Sequence, residues 1–193
     1  MASGRGSNAE AILQACREGK LQAEGALVVS NNPDAGVHEV AARFDAASQT
    51  IARPDFPDGG SFAETLIGAF RDAGVELILL AGYMRKVPPA LLREYRGAVL
   101  NIHPALLPRH GGKGMYGIHV HEDVLRERDR ETGVTVHYVD EEYDRGPILL
   151  QKGGVDVRAD DTPEALAERV LELEHRAYPE AVALWMEKHR SIV

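Results

Sequence analysis

The chain has one cysteine, Cys16, in 193 residues, so no intramolecular disulfide can form. That cysteine falls on a helical apolar face with Ile12 and Leu13, where a thiol packs as a small hydrophobe rather than acting in chemistry. There is no charged-then-apolar leader and no apolar run of membrane length, so the expectation is a cytoplasmic protein with no membrane partner. Positive charge is scarce. Lys and Arg number 22 against 30 Asp and Glu, a net charge of −8. A general nucleic-acid binder needs clustered cations to meet phosphates, so no nucleic-acid partner is expected, although a local basic pocket for a small anion stays open. Repeats, low-complexity tracts and linkers are also missing. With 44% hydrophobic and 27% charged residues, the chain can bury a sizeable core, and residues 1–193 are expected to form a single domain.

Short β-rich runs alternate with helical stretches. Residues 24–30 read as a strand, 35–44 as a helix, and 49–52 as a short extended piece before a Pro/Asp/Gly loop at 53–60. Ser61-Phe62-Ala63-Glu64 has the form of a capping box, opening a helix with Phe62, Leu66, Ile67 and Phe70 at helical spacing and Gly74 at its end. Residues 75–80 form a nearly continuous apolar run, the kind covered on both faces in a parallel sheet. A short helix over 89–95 leads to a strand that ends at Asn101 and His103. The glycine-rich loop 110–117 opens a helix to about Arg128, and residues 133–139 and 148–151 read as two strands joined as a hairpin. Thr162-Pro163-Glu164 starts another helix, with Leu166, Val170 and Leu173 as its apolar stripe. Tyr178-Pro179 is expected to break it before a last helix containing Val182, Leu184 and Trp185. The sum is an α/β fold: a doubly wound, mostly parallel sheet with helices on both faces and a mixed, antiparallel edge. Ligands of such sheets bind beyond the carboxyl ends of the strands, so the loops at 3–8, 81–87, 101–117 and 140–147 are expected to converge.

The most informative stretch is Asn101-Ile102-His103-Pro104-Ala105-Leu106-Leu107-Pro108. An apolar run, residues 97–100, delivers a carboxamide and an imidazole two residues apart, and a proline then stops the strand. Period-two geometry puts Asn101 and His103 on one side. A hydrogen-bond donor and a titratable acid/base at one point suit acyl transfer. Taken alone, the segment reads equally well as a polar strand end entering a proline turn. Three further segments tip that balance: Ser3-Gly4-Arg5-Gly6-Ser7-Asn8 running into a helix, the apolar strand before Ala81-Gly82-Tyr83-Met84-Arg85, and the acidic loop Asp140-Glu141-Glu142-Tyr143-Asp144-Arg145-Gly146-Pro147 after a strand.

In that order and at nearly that spacing, the segments GRGSN, AGYMR, NIHPALLP, VHYVDEEYDRGP and EHRAYP make the sequence similar to the phosphoribosylglycinamide formyltransferase family of purine synthesis. The similarity covers nearly the whole chain. It implies transfer of a formyl group from 10-formyltetrahydrofolate, as cosubstrate, to the amine of glycinamide ribonucleotide, with these small molecules as partners and no metal. It implies that Asn101, His103 and Asp144 are catalytic. Asn101 and a protonated His103 would meet the oxyanion of a tetrahedral intermediate, and Asp144 would raise the His103 pKa and organise a proton-relaying water. It places the ribonucleotide phosphate on Gly6, Ser7 and Asn8, where glycines and a helix N-terminus favour an anion. Glu174 would bind on the substrate's amine side; read without the resemblance, it is a surface carboxylate on a helix. The folate would contact Met84, Arg85, Lys86 and Val87, together with Asn101, Val139 and Asp140.

The chain departs from the family at several points. Lys86 stands where an aliphatic residue is frequent, Leu171 where relatives offer a polar group, and Gly59-Gly60 where many place an arginine. The family has about five more apolar residues ahead of the glycine-rich loop, so the first strand reads as truncated, with Met1 in an apolar position near that strand's end and the true start upstream. His137 and Thr135 share a strand face ahead of the Asp144 loop; one reading has either of them border the site, and the preferred one makes His137 a buried, satisfied histidine. His119 and His121 should point in different directions and do not complete a metal set with His110. Residues 126–131 read as a solvated charged face. Related activities fit less well. Methionyl-tRNA formyltransferases carry a basic loop and an additional nucleic-acid-binding domain, formyl-folate hydrolases lack the GRGSN grip, and a catalytically silent folate or nucleotide binder is the reading from another class.

Overall fold

The computed structural model describes residues 1–190, and the chain forms two compact units, Met1–Leu100 and Asn101–Val193. In the first unit, helix α1 (Ser7–Arg17) precedes strand β1 (Val28–Ser30), α2 (Val37–Arg43) and β2 (Ser48–Thr50). A 3-10 turn (Arg53–Asp55), α3 (Gly59–Asp72), β3 (Ile78–Leu80) and α4 (Pro89–Glu94) follow, and β4 (Val99–His103) begins in this unit. Strands β1 and β2 pair in parallel, Val28 with Ser48 through Ser30 with Thr50. Residues 1–3 run between β1 and the end of β3. The Ala2 N–H donates to Val29 C=O (3.0 Å), the Ala81 N–H to Met1 C=O (2.8 Å), and the Ser3 N–H to Gly82 C=O (3.0 Å). Ahead of the glycine-rich loop, Ala2 forms a single parallel bridge to Ser30 and packs with Val28, Ala35, Val37 and Ala41 in the core.

The second unit takes the end of β4, then α5 (Ile118–Arg126), β5 (Glu131–Tyr138), β6 (Ile148–Asp156) and α6 (Pro163–Arg190). Its strand order is β4-β5-β6, with β5 and β6 antiparallel. The expected mixed edge is present, produced by a hairpin whose register shifts between Thr132 and Val134 and again between Val136 and His137. The core joins Val124 of α5, Val134 and Val155 of the hairpin, and Leu166, Val170 and Ala177 of α6. No described helix is long and apolar enough to cross a membrane.

Two local expectations need correction. The first turn of α3 is capped by Asp58, not Ser61: the Asp58 carboxylate accepts the Ser61 N–H at 2.8 Å. A carboxylate three residues earlier satisfies an orphan donor at Ser61 itself, so the helix begins about one turn sooner than the capping box implied. The second concerns Pro179, which lies inside a continuous α6. An interior proline costs about 3 kcal/mol through the lost hydrogen bond and ring clash. Ala177, Tyr178, Ala181 and Val182 around it are all buried, and burying side chains the size of Tyr178 and Val182 returns about 1.5–3 kcal/mol each. Packing therefore outweighs the local signal. Thr162 does cap this helix, accepting the Ala165 N–H on Oγ1 at 3.2 Å.

Candidate active site

Strand β4 ends in the second unit with Asn101 half-buried and His103 3% exposed. The segment after it is clamped from β5 and β6. The Thr135 hydroxyl donates to Ala105 C=O (2.7 Å) and accepts the Leu107 N–H (3.1 Å), while Gln151 Nε2 donates to Leu107 C=O (2.9 Å). A buried hydroxyl with every capacity used is a rigid support. Thr135 thus holds the turn that follows His103 and does not itself face the acid/base groups.

Asn101, His103 and Asp144 enter one network, and His137 joins them. The His137 Nδ1–H donates to Tyr138 C=O at 2.9 Å, so Nε2 carries the lone pair and accepts from Asn101 Nδ2 at 3.1 Å. This chain fixes which end of the Asn101 amide is the donor and leaves its second N–H available for another oxygen. Asp144 Oδ1 lies 3.5 Å from His137 Nε2, and Oδ2 lies 3.7 Å from His103 Nδ1. The far side of His103 is settled as well: Nε2–H donates to His110 C=O at 2.8 Å. His137 is satisfied and buried, as the sequence reading preferred, and it is also the group that orients Asn101.

Asp144 sits on a tight loop in which Tyr138 N–H donates to Pro147 C=O (2.9 Å) and Asp140 Oδ1 accepts Glu142 N–H (2.9 Å). Its backbone is left-handed (φ 55°) and its Oδ2 accepts Gly112 N–H at 2.9 Å. Burial opposes the charge on Asp144, but His137 and His103 in their protonated forms, with the Gly112 amide, outweigh it and hold the carboxyl below the usual range. For His103 the balance goes the other way. Burial is the largest influence and lowers its pKa; Asp144 pulls it up but does not win. The expectation that Asp144 raises the His103 pKa therefore holds for that one contribution and fails for the sum.

His121, on α5, is buried with no hydrogen-bond partner at Nδ1, and burial followed by the nearness of His103 pushes its pKa down to about 4. His119 faces solvent and meets Glu122 at 3.0 Å, so the two rings do point apart. Because the unfolded chain takes up a proton at His121 near pH 6.5 and the folded chain only near 4, stability should fall as pH drops through that window, by about 3 kcal/mol. Urea unfolding of the parent and of His121→Phe at both ends of the window checks this: the variant should lose that share of the slope.

Part of the run 126–131 is not a solvated face. Asp129 pairs with Arg109 and with His110 Nε2 (2.8 Å), and its side chain is largely buried. Glu174, on α6, is also buried rather than a surface carboxylate. Val139 is half-buried and Asp140 exposed on the loop.

In the first unit, Gly6 has φ 81°, and a Cβ there would lie 2.9 Å from the Val37 backbone, so the turn into α1 requires glycine. Ser7 opens α1 and Asn8 is buried in its first turn. Ser3, which the sequence reading passed over, ties this loop to the next: its hydroxyl accepts the Met84 N–H at 2.8 Å and donates to Asn31 Oδ1 at 2.5 Å. Met84, Arg85 and Lys86 are exposed, whereas Val87 is buried.

Residues 1–182 match the formyl transferase family. The chain is 45% identical over 183 residues to a protein of Arabidopsis thaliana named phosphoribosylglycinamide formyltransferase, chloroplastic, with 93% of this chain aligned. It spans only 62% of that protein's length. It is 39% identical to the phosphoribosylglycinamide formyltransferase of Bacillus subtilis, covering 94% of this chain and 90% of that one. A crystal structure of glycinamide ribonucleotide transformylase 1 from Symbiobacterium toebii is similar at a TM-score of 0.91 and 38% identity, over 97% of this chain and 85% of that chain.

Proposed function

The chain belongs to the formyl transferase family, and we propose that it moves a formyl group from 10-formyltetrahydrofolate to the amine of glycinamide ribonucleotide. The observation that carries the reading is the network of Asn101, His137, Asp144 and His103 at the end of β4. The substrate amine attacks the formyl carbon, a C–N bond forms, and the carbonyl oxygen becomes an oxyanion. The second N–H of Asn101 meets that oxygen. Neutral His103 takes the amine's proton on Nδ1, beside the Asp144 carboxylate, and the resulting imidazolium stabilises the oxyanion. That proton then goes to the folate nitrogen as the old C–N bond breaks. No side-chain nucleophile and no metal is required by this route. Gly6, Ser7 and Asn8 are assigned to the phosphate, Glu174 to the amine side, and Met84, Arg85, Lys86, Val87, Asn101, Val139 and Asp140 to the folate, each supported by its match to the family's segments.

The direct test offers glycinamide ribonucleotide, tRNA and water as formyl acceptors with 10-formyltetrahydrofolate as donor. Product on the ribonucleotide alone supports the reading; formyl-tRNA or free formate as the main product replaces it with another activity. The lowered His103 pKa adds a prediction. A base that must be neutral loses activity as pH falls through its pKa, so the acid limb of kcat/KM should lie below 6.5, the ordinary histidine value. Asp144→Asn removes the charge that pulls this pKa up, so the limb of the residual activity should move to lower pH. A limb that rises in pH in that variant would contradict the assignment.

A further inference from the structure

We infer that His110 is the positioning residue for His103, acting through its own main-chain carbonyl. That carbonyl accepts the His103 Nε2–H at 2.8 Å. It is held by a residue whose backbone is left-handed (φ 55°), a conformation that side-chain-bearing residues enter mainly when their surroundings hold them there. The His110 ring supplies the hold. Its side chain is 4% exposed and bridges two acids: Nδ1 lies 2.6 Å from Asp123 Oδ2 and Nε2 lies 2.8 Å from Asp129 Oδ2. Asp123 comes from α5 and Asp129 from just beyond its end. Arg126 pairs with Asp123 and Arg109 with Asp129, so each carboxylate is shared between an imidazole and a guanidinium.

The consequence falls on the tautomer of His103. A carbonyl at Nε2 demands a hydrogen there, which leaves Nδ1 as the nitrogen with the lone pair, facing Asp144. Were the His110 carbonyl to turn away, the ionised Asp144 carboxylate 3.7 Å from Nδ1 would draw the hydrogen to that nitrogen instead. Proton transfer would then be shared with a ring whose hydrogen already sits on the wrong nitrogen. The kinetic part of this inference rests on the acid/base role proposed for His103; the tautomer part does not.

The test uses the full chain labelled with 15N-histidine, compared as parent, His110→Phe and the double variant Asp123→Asn/Asp129→Asn. In the parent, neutral His103 should show a protonated Nε2 and a bare Nδ1. In both variants an Nδ1–H population should appear, drawn by Asp144, with kcat down at least about 10-fold and KM for both substrates within about 3-fold. A folded variant in which His103 keeps a single Nε2–H form and kcat stays within about 2-fold of the parent would overturn the inference. A rise in KM at constant kcat would do the same, by assigning the cluster to substrate binding. Should His110→Phe fail to fold, the amide variants decide by the same two readouts, since each amide keeps the shape of the acid it replaces. If the parent formylates nothing, the transfer reading falls by itself and the spectra still decide the positioning.

Discussion

Replacing His103 by alanine is expected to lower kcat by about 10²–10⁴-fold at saturating substrates, the range of a positioned acid/base. The size follows from what is lost together. The ring holds a defined hydrogen on Nε2 and offers Nδ1 beside Asp144, so it can both take and return a proton. The Asn101 carboxamide does not exchange a proton near neutral pH, and Asp144, held ionised, can only accept. Alanine also leaves a buried carboxylate without one of its partners, which costs stability, about 1–3 kcal/mol. That is a fraction of the 5–15 kcal/mol typical of a domain, so the variant should fold. Circular dichroism and a melting curve run beside the assay separate the two losses. Turnover near that of the parent in a folded His103→Ala would take His103 out of the mechanism and leave the network a structural one.

The parts of this site that could be read from sequence are those whose geometry is local. Asn101 and His103 stand two apart on a strand stopped by Pro104, so their shared side follows from the pleat alone. The helix cap at Thr162 and the hairpin of β5 and β6 were legible for the same reason. What failed was local reasoning set against distant packing. Pro179 is a helix breaker by its own chemistry, yet α6 runs through it because Tyr178 and Val182 are buried on either side. Asp129 sits in a run of alternating charges that any periodicity count assigns to solvent, and only the returning loop at Arg109 and His110 draws it inward. His137 offered only its place on the strand that leads into the Asp144 loop. Its role as the partner that orients Asn101 depends on β5 lying beside β4, a long-range fact. Left-handed backbone at His110 and Asp144 is equally invisible to residue type, since neither is a glycine.

Gly146→Ala should reduce stability by about 3 kcal/mol or more and lower kcat by at least about 100-fold. A methyl group there would sit 1.8 Å from the Tyr138 carbonyl oxygen, with Asp140 Oδ2 at 3.6 Å. The closest atom is a backbone oxygen, not a flexible side-chain end, so the backbone itself must move. That oxygen is the acceptor of the His137 Nδ1–H, so its displacement releases the hydrogen that fixes the His137 tautomer and, through Nε2, the Asn101 amide. Asp144 lies two residues before the substituted position on the same tight loop, and its distances to His103 and His137 change with it. The damage therefore reaches the oxyanion donor and the carboxylate at once, although the side chain added touches neither. Gly112→Ala is the comparison: its Cβ would meet nothing within 4 Å but its φ is 103°, so it strains the loop without pushing on Tyr138. Urea unfolding and saturating kinetics of the two variants distinguish the effects. A Gly146→Ala protein as stable and as active as the parent would mean that the Tyr138 carbonyl can retreat at no cost, and that the link from this glycine to Asn101 does not constrain the site.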